Sequence, residues 1–449
     1  MAQDRPRDQA MPGAGTALAL LLAINLFNYI DRQVLAAVEP DIRAALFPGV
    51  DESRAKFLSG LLASAFLVTY TLVSPIFGYL SDRRSRWYLS AFGVTVWSLA
   101  SGASGLATTF LMLLITRCFV GFGEAAYGPA APSLISDMYP TEKRGRVLSL
   151  FYMAIPVGSA LGYALGGAMS PNWRLAFYVV VPPGLILAVM CLWMREPQRG
   201  AVDAATAVKP PKASWREYRI IFRTPSWLLC TLGMTAMTFA LGGIAWWMPA
   251  YLKEYMHYEK TILFGAEHNS TFIFGALTAI MGLIATLSGG FLGDLLRPRW
   301  SGSYFIVSGI AMLLAVPCII WFVNSPFPFA WFPLALAIFC LFFNTGLTNT
   351  ILANVTHPSI PASAFAVNIF IIHIFGDVIS PPILGGVIGK DRYPAAFYVV
   401  SGVIFLGGLF WLMGTRFLGH DTEMAPKRAR GSDLPSETAC MSVGVAQDQ

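Results

Sequence analysis

Twelve stretches of the chain are long and apolar enough to cross a lipid bilayer, and nothing else in the sequence constrains the fold as much. A membrane helix needs about 20 mostly apolar residues. Windows of that kind fall at 16–38, 57–80, 88–107, 110–138, 145–169 and 174–194, then at 226–252, 269–293, 303–323, 328–353, 363–389 and 395–417. Inside a bilayer every backbone N–H and C=O must be bonded internally, so such segments fold as helices. The composition agrees, with 55% hydrophobic and only 12% charged residues, against about 25% charged in ordinary soluble domains. The predicted fold class is an all-α membrane protein of twelve transmembrane helices.

The remaining residues exclude several other classes. Five histidines and six cysteines show no metal-ligand or redox spacing, and Cys118, Cys191, Cys230, Cys318 and Cys340 fall inside apolar stretches, where they read as packing residues. No metal and no cofactor is expected. The first apolar stretch has no small-residue cleavage site after it and reads as a retained membrane helix, not a signal peptide. The formal net charge of +6 sits in short loops, where membrane orientation explains it without a nucleic-acid partner.

One long polar connection separates the sixth span from the seventh, and it divides the chain into an N-terminal six-helix bundle (1–195), a linker (196–225), a C-terminal six-helix bundle (226–418) and a disordered tail (419–449). Within the linker, Trp215 to Phe222 reads as a surface helix. Lys and Arg collect in the linker, in the loops after the second, fourth and eighth spans and at both ends of the chain. That bias predicts cytoplasmic termini and linker in a multi-pass membrane protein. The halves repeat. Gly78-Tyr-Leu-Ser-Asp82-Arg83-Arg84-Ser85-Arg86 follows the second span and Gly290-Phe-Leu-Gly-Asp294-Leu-Leu-Arg297 follows the eighth, each with a Gly four residues before an Asp. Gly158, Gly162, Gly166 and Gly167 in the fifth span, and Gly376, Gly385 and Gly386 with Pro381 and Pro382 in the eleventh, suit close helix packing and bending. Two related bundles of this kind are the architecture of a carrier that rocks one half against the other.

The loop at 78–86 resembles the signature loop of the major facilitator superfamily, departing from it at Ser85, where that pattern usually has Gly. Asn28-Tyr29-Ile-Asp31-Arg32 in the first span, Arg117-Cys-Phe-Val-Gly121-Phe-Gly123-Glu124-Ala-Ala-Tyr127 in the fourth and His373-Ile-Phe-Gly376-Asp377-Val-Ile-Ser380-Pro381 in the eleventh together look like the Spinster family. The resemblance covers nearly all of the chain up to about 417. It implies two pseudo-symmetric six-helix bundles, proton coupling, and a cargo of the lysolipid or sphingosine-1-phosphate kind. Short termini and compact loops suggest a bacterial member.

Charges at membrane depth cost a few kcal/mol or more each, so an uncompensated one without a role is rarely retained. Five such groups occur: Asp31, Arg32, Arg117, Glu124 and Asp377. At about 1.5 Å of rise per residue, Asp31, Arg32 and Arg117 share a level, while Glu124 lies roughly 10 Å deeper, close to the depth of Asp377. Asp31, Glu124 and Asp377 are the candidate proton-coupling residues. Arg32, Arg117, Asn28, Tyr127, His373, Trp246 and Asn349 are the candidate substrate-binding residues. The residues alone leave a second reading open for most of these: a purely structural ion pair for Asp31, Arg32 and Arg117, a structural hydrogen bond for Glu124, a helix-bending polar site for Asp377 and simple packing for His373. Gly78, Asp82, Arg83, Arg86, Asp137 and Asp294 form the candidate cytoplasmic gate. In this reading Asp82 binds the start of the eleventh helix and Arg83 or Arg86 pairs with Asp137, but only while the cytoplasmic side is shut.

The expected function is proton-coupled transport of an amphipathic, anionic lipid by a monomeric carrier, since an anionic head group reaching Arg32 and Arg117 would compete with their carboxylate partners. A drug or metabolite exporter on the same scaffold, a non-transporting sensor and a lipid-modifying enzyme are the alternatives. The last lacks an activated nucleophile beside His373 and Asp377.

Overall fold

The apolar windows fold as helices whose lengths match a bilayer. The computed structural model describes residues 11–425 except 82, 140, 171, 198–220, 264–265, 357–360 and 390–391. The first half runs α1 (Ala14–Ala37), α2 (Glu39–Leu46), α3 (Glu52–Ser81), α4 (Arg86–Gly105), α5 (Phe110–Tyr127), α6 (Ala130–Met138), α7 (Thr141–Met169) and α8 (Trp173–Leu192). The second half opens with α9 (Pro225–Ala250), a π-helical turn (Tyr251–Tyr255) and an antiparallel hairpin of β1 (Lys260–Leu263) and β2 (Ala266–Asn269) in which Lys260 pairs with Asn269. It continues through α10 (Ser270–Leu296), α11 (Ser303–Val323), α12 (Trp331–Phe342), α13 (Thr345–Val355), α14 (Pro361–Ile372), a second π-helical turn (His373–Asp377), α15 (Ser380–Ile388) and α16 (Tyr393–Met424).

Among the described residues, 11 helical spans are long and apolar enough to cross a membrane. The remaining expected span is α4, a helix of 20 residues whose polarity comes from Ser90, Ser98, Ser101 and Ser104, all buried. It packs closely on α5, where a Cβ on Gly93 would come within 2.5 Å of the Gly123 carbonyl oxygen. Three spans are interrupted. The fourth breaks at Gly128-Pro129, the tenth at Phe343-Asn344, and the eleventh at its π-helical turn and the residues before Pro381 and Pro382, whose missing N–H groups cannot continue the helical ladder.

Several elements differ from the sequence reading. The short α2 and the hairpin are too brief to register as apolar windows. The surface helix expected over 215–222 falls outside the described residues except for Ile221 and Phe222, which are helical. The last helix continues to Met424 instead of ending at 418, because the buried Asp421 accepts a hydrogen bond of 2.8 Å from the Ser226 N–H and so caps the start of α9.

Packing within each half follows the repeat. In α7 the small residues face α1, and a Cβ on Gly162 would lie 2.6 Å from the Ile30 carbonyl oxygen. The eleventh span meets the seventh the same way, with the Gly376 position 3.1 Å from the Thr235 oxygen. Gly162→Leu is therefore expected to overpack the α1–α7 seam and lower stability by about 1–3 kcal/mol. Thermal unfolding of purified protein in detergent measures this, and an unchanged Tm would contradict so close an approach.

Among the described residues, the halves are hydrogen-bonded to each other at one end only. Among the described residues, the hydrogen bonds joining them run from Ser64 Oγ to the Val378 oxygen (2.5 Å) and Tyr163 to the Ala245 oxygen (2.7 Å) out to Ser53 Oγ and the Gly386 oxygen (3.1 Å). All lie between mid-span and the end distant from the linker, here called the distal face. At the linker end, the repeat glycines Gly78 and Gly290 face open space.

Candidate functional site

Asp31 and Arg32 are neighbours on α1, so their side chains leave the helix about 100° apart and reach different partners. Asp31 points at α4 and α5. Its Oδ1 accepts a hydrogen bond from Ser101, and Oδ2 lies 3.9 Å from the Arg117 guanidinium. Arg117 in turn donates to Ser104 Oγ at 2.6 Å and stacks over Phe177. Arg32 extends to Glu124, donating from Nε at 2.8 Å and from Nη2 at 2.5 Å to a single carboxylate oxygen. Depth alone groups Asp31, Arg32 and Arg117; the structure instead forms two pairs, Asp31 with Arg117 and Arg32 with Glu124. The length of the Arg32 side chain bridges the difference in level.

The two arginines differ in access. Arg117 is buried with 2% of its side chain exposed, whereas Arg32 keeps 22% exposed while Glu124 has 1%. Three rings, those of Tyr29, Phe66 and Tyr70, hold the Arg32 guanidinium at 4.9, 4.7 and 5.4 Å. Such cation–π contacts stabilise a guanidinium without neutralising it, so its charge stays available to an anion.

Arg32 forms part of two cavities. The first, about 160 Å³, is lined by Asp31, Arg32, Arg117 and Phe66 from one half and by Trp246, Asp377 and Pro381 from the other. The second, about 140 Å³, lies within the first half, between Asn25, Asn28, Tyr29, Tyr70, Glu124, Tyr127 and Tyr152. The structure thus brings Asp31, Arg32, Arg117, Trp246 and Asp377 together, and sets Asn28, Glu124 and Tyr127 behind them. Tyr127 spends its hydroxyl on the Leu21 carbonyl oxygen at 2.8 Å, tying α5 to α1. Among the described residues, Glu124 Oε1, Asp31 Oδ2 and Arg117 Nε are buried without a hydrogen-bond partner.

Two candidates line neither cavity. Asn349 is exposed, and its amide donates to the Thr345 carbonyl oxygen one turn back. His373 sits in the second π-helical turn with Nδ1 at 3.0 Å from both Asp377 oxygens, so it touches the first cavity only through Asp377. π-helical turns are often found at functional sites, and this one places Asp377 against Gly242 of α9, where a Cβ would lie 2.5 Å from the Asp377 Cβ.

The expected gate needs correction. Asp82 lies outside the described residues, as does the side chain of Asp294. Arg86 pairs with Asp137, at 2.5 Å, but both belong to the first half. The pair therefore cannot report closure between halves. The same Arg86 donates to Glu196 at 2.7 Å, and Glu196 also accepts from Ser85 Oγ at 2.8 Å and from the Arg86 N–H at 3.0 Å. Ser85 caps α4 as well, accepting from the Tyr88 N–H. The residue that departs from the usual glycine thus anchors the start of the linker. Arg83 remains on its own helix, stacked on Tyr79. Sequence reasoning missed Ser101 and Ser104, which look like ordinary helix serines, and the aromatic cage on Arg32, although its Tyr29 stood inside an identified motif.

The chain is similar to known proteins over most of its length. The sequence model of the Major Facilitator Superfamily matches residues 21–381. Human Protein spinster homolog 1 is 34% identical over 456 residues, covering 94% of this chain and 84% of the relative, and the Xenopus laevis homolog 1 is 30% identical over 93% and 83%. Among solved structures, a bacterial homolog of the human lysosomal transporter Spinster, in an inward-facing and unoccupied conformation, superposes with a TM-score of 0.75 at 22% identity, covering 95% of this chain and all of that one. A D-xylose–proton symporter superposes at 0.68 with 15% identity over 88% of this chain and 96% of that one. With a match that spans both bundles and relatives that align over most of their own length, the chain belongs to the major facilitator superfamily and, within it, to the Spinster family, and is a membrane transporter of that type, not an enzyme.

Proposed function

We propose that this transporter couples protons to the movement of an amphipathic lipid with an anionic head group, such as a lysophospholipid or a sphingoid phosphate, by alternating access. The observation that carries the reading is the first cavity, where two cations and two carboxylates from both halves share a wall with apolar side chains. Arg32 and Arg117 suit a phosphate, for which guanidinium groups are the preferred partners. Leu35, Ala63, Phe66, Leu67 and Val120 on the same wall suit the first methylenes of a chain. The carboxylates Asp31 and Glu124 compete with an anion for the same arginines, which links cargo binding to proton binding. The Lys and Arg bias supports a cytoplasmic linker face, and with it an inward-facing reading of this conformation.

The test is a binding panel of phosphate-bearing lysolipids, neutral amphiphiles of matched chain length, and soluble anions or drugs, on native protein and Arg32→Gln. Native protein is expected to prefer the phosphate-bearing lipid. The variant is expected to lose roughly 10- to 100-fold of that affinity, the range for a hydrogen bond to a charged group, with little change for the neutral amphiphile. Equal losses for both would make Arg32 structural, and preference for a soluble drug would favour the exporter reading.

A further inference from the structure

The distal face carries a second set of charges that the central site does not use. On α2, Asp41 pairs with Lys253 at 2.7 Å, and Arg43 pairs with Glu254. Lys253 and Glu254 are consecutive on the first π-helical turn, so one short segment of each half presents a cation and an anion to its counterparts on the other. Ser170 joins the first pair, donating to Asp41 at 2.6 Å and accepting from Lys253 at 2.9 Å. Lys56, fully buried, lies 2.9 Å from Glu52 and 3.8 Å from Glu254, over the Tyr393 ring, and the Tyr393 hydroxyl donates to Glu254 at 2.6 Å.

Glu39 sits behind this array, 1% exposed, just beyond the end of α1. Its Oε1 accepts from Arg43 Nε at 3.0 Å and from Ser59 Oγ at 2.5 Å, while Oε2 has no partner among the described residues. Arg43 is thus shared between two carboxylates, Glu39 of its own half and Glu254 of the other. Among the described residues, the carboxylates of Glu39, Glu52 and Glu254 face the cations Arg43 and Lys56.

We propose that these pairs are the latch that shuts the distal face, and that Glu39 is the proton-binding residue that sets how firmly it holds. With the latch shut, Glu39 is buried and faces the Glu254 charge across Arg43. Opening carries Glu254 away with the second half and admits water. Burial pushes the Glu39 carboxyl up, the Glu254 charge adds to that, and Arg43 and Ser59 oppose it. The shut state therefore holds the proton more tightly than the open one. Its extra stability is fully present below the open-state value and is lost as pH rises through the shut-state value. Acid favours a shut distal face, independently of cargo.

The inference rests on alternating access but not on the lipid or on the central carboxylates. Spin labels at Val50→Cys and Ile262→Cys, exposed on the two halves, report the opening of the distal face in nanodiscs without added lipid cargo. Acidification is expected to shift the distance distribution towards the short, shut population, and Glu39→Gln is expected to give the short population with its pH response lost. Ser59→Ala, a mild change that removes a donor to the Glu39 carboxylate, is expected to move the transition to higher pH. A pH response retained in Glu39→Gln overturns the proposal while leaving alternation intact. If Glu39→Gln does not fold, an unmoved transition in Ser59→Ala overturns it equally. Distances that never lengthen under any condition overturn both the latch and alternating access.

Discussion

Asp31→Asn is expected to abolish transport driven by a pH gradient while leaving lipid binding within a few-fold of native, roughly 1 kcal/mol or less. The geometry makes this substitution a narrow one. An asparagine keeps an oxygen where Oδ1 accepts from Ser101, so the hydrogen bond to α4 and the local shape survive. It removes the exchangeable proton and, with it, the negative charge 3.9 Å from Arg117, whose guanidinium keeps its hydrogen bond to Ser104. Binding depends on Arg32 and Arg117, which remain. Uptake or efflux in proteoliposomes with an imposed pH gradient checks the first half of the prediction and ligand titration the second. Gradient-driven transport at native rates would mean that Asp31 is a fixed structural partner and that the proton travels elsewhere.

Arg117→Ala is expected to be among the most damaging single changes to stability, by about 3–5 kcal/mol, because removing one partner of a buried ion pair leaves the other uncompensated. Asp31 and Arg117 have 3% and 2% of their side chains exposed, so water cannot make up the loss. Much of the damage should be absent when Asp31→Asn is added, since the double variant buries no orphan charge. Unfolding of the two single variants and the double variant forms a cycle whose coupling energy isolates the pair. Additive effects would mean that Ser101 and Ser104, not the charges, hold these side chains.

The spans were legible because a bilayer admits few alternatives to a helix of its own thickness, and the serine-rich window at 88–107 is a helix of 20 residues, α4. The buried charges were legible for the same reason: Asp31, Arg32, Arg117, Glu124 and Asp377 stand out wherever the surroundings are apolar. Partner choice was not. Depth placed Arg32 beside Arg117 and Asp31, but the direction of its side chain around α1 and its length sent it to Glu124. Asn349 shared a polar stretch with plausible cavity residues, yet its helix face turns away. The Arg86–Asp137 pair was anticipated, but the domain bounds read from the sequence already put both residues in one half, so it was never a contact between halves. Glu39 and Arg43 have the spacing of a helical ion pair, but nothing local announces that Glu254, 211 residues beyond Arg43, completes it.

The order of charges at the distal face also fixes how the halves can come together. Asp41 and Arg43 on α2 meet Lys253 and Glu254 on the π-helical turn with each sign opposite its complement. Sliding one segment past the other would turn Arg43 towards Lys253 and Asp41 towards Glu254, two like-charge encounters where there had been two attractions. Juxtaposed like charges oppose a mistaken docking by several kcal/mol. The face is keyed: it accepts one alignment of the two bundles and rejects its neighbours, so each return to this conformation brings Asp377 and Trp246 back to the same positions opposite Asp31 and Arg32.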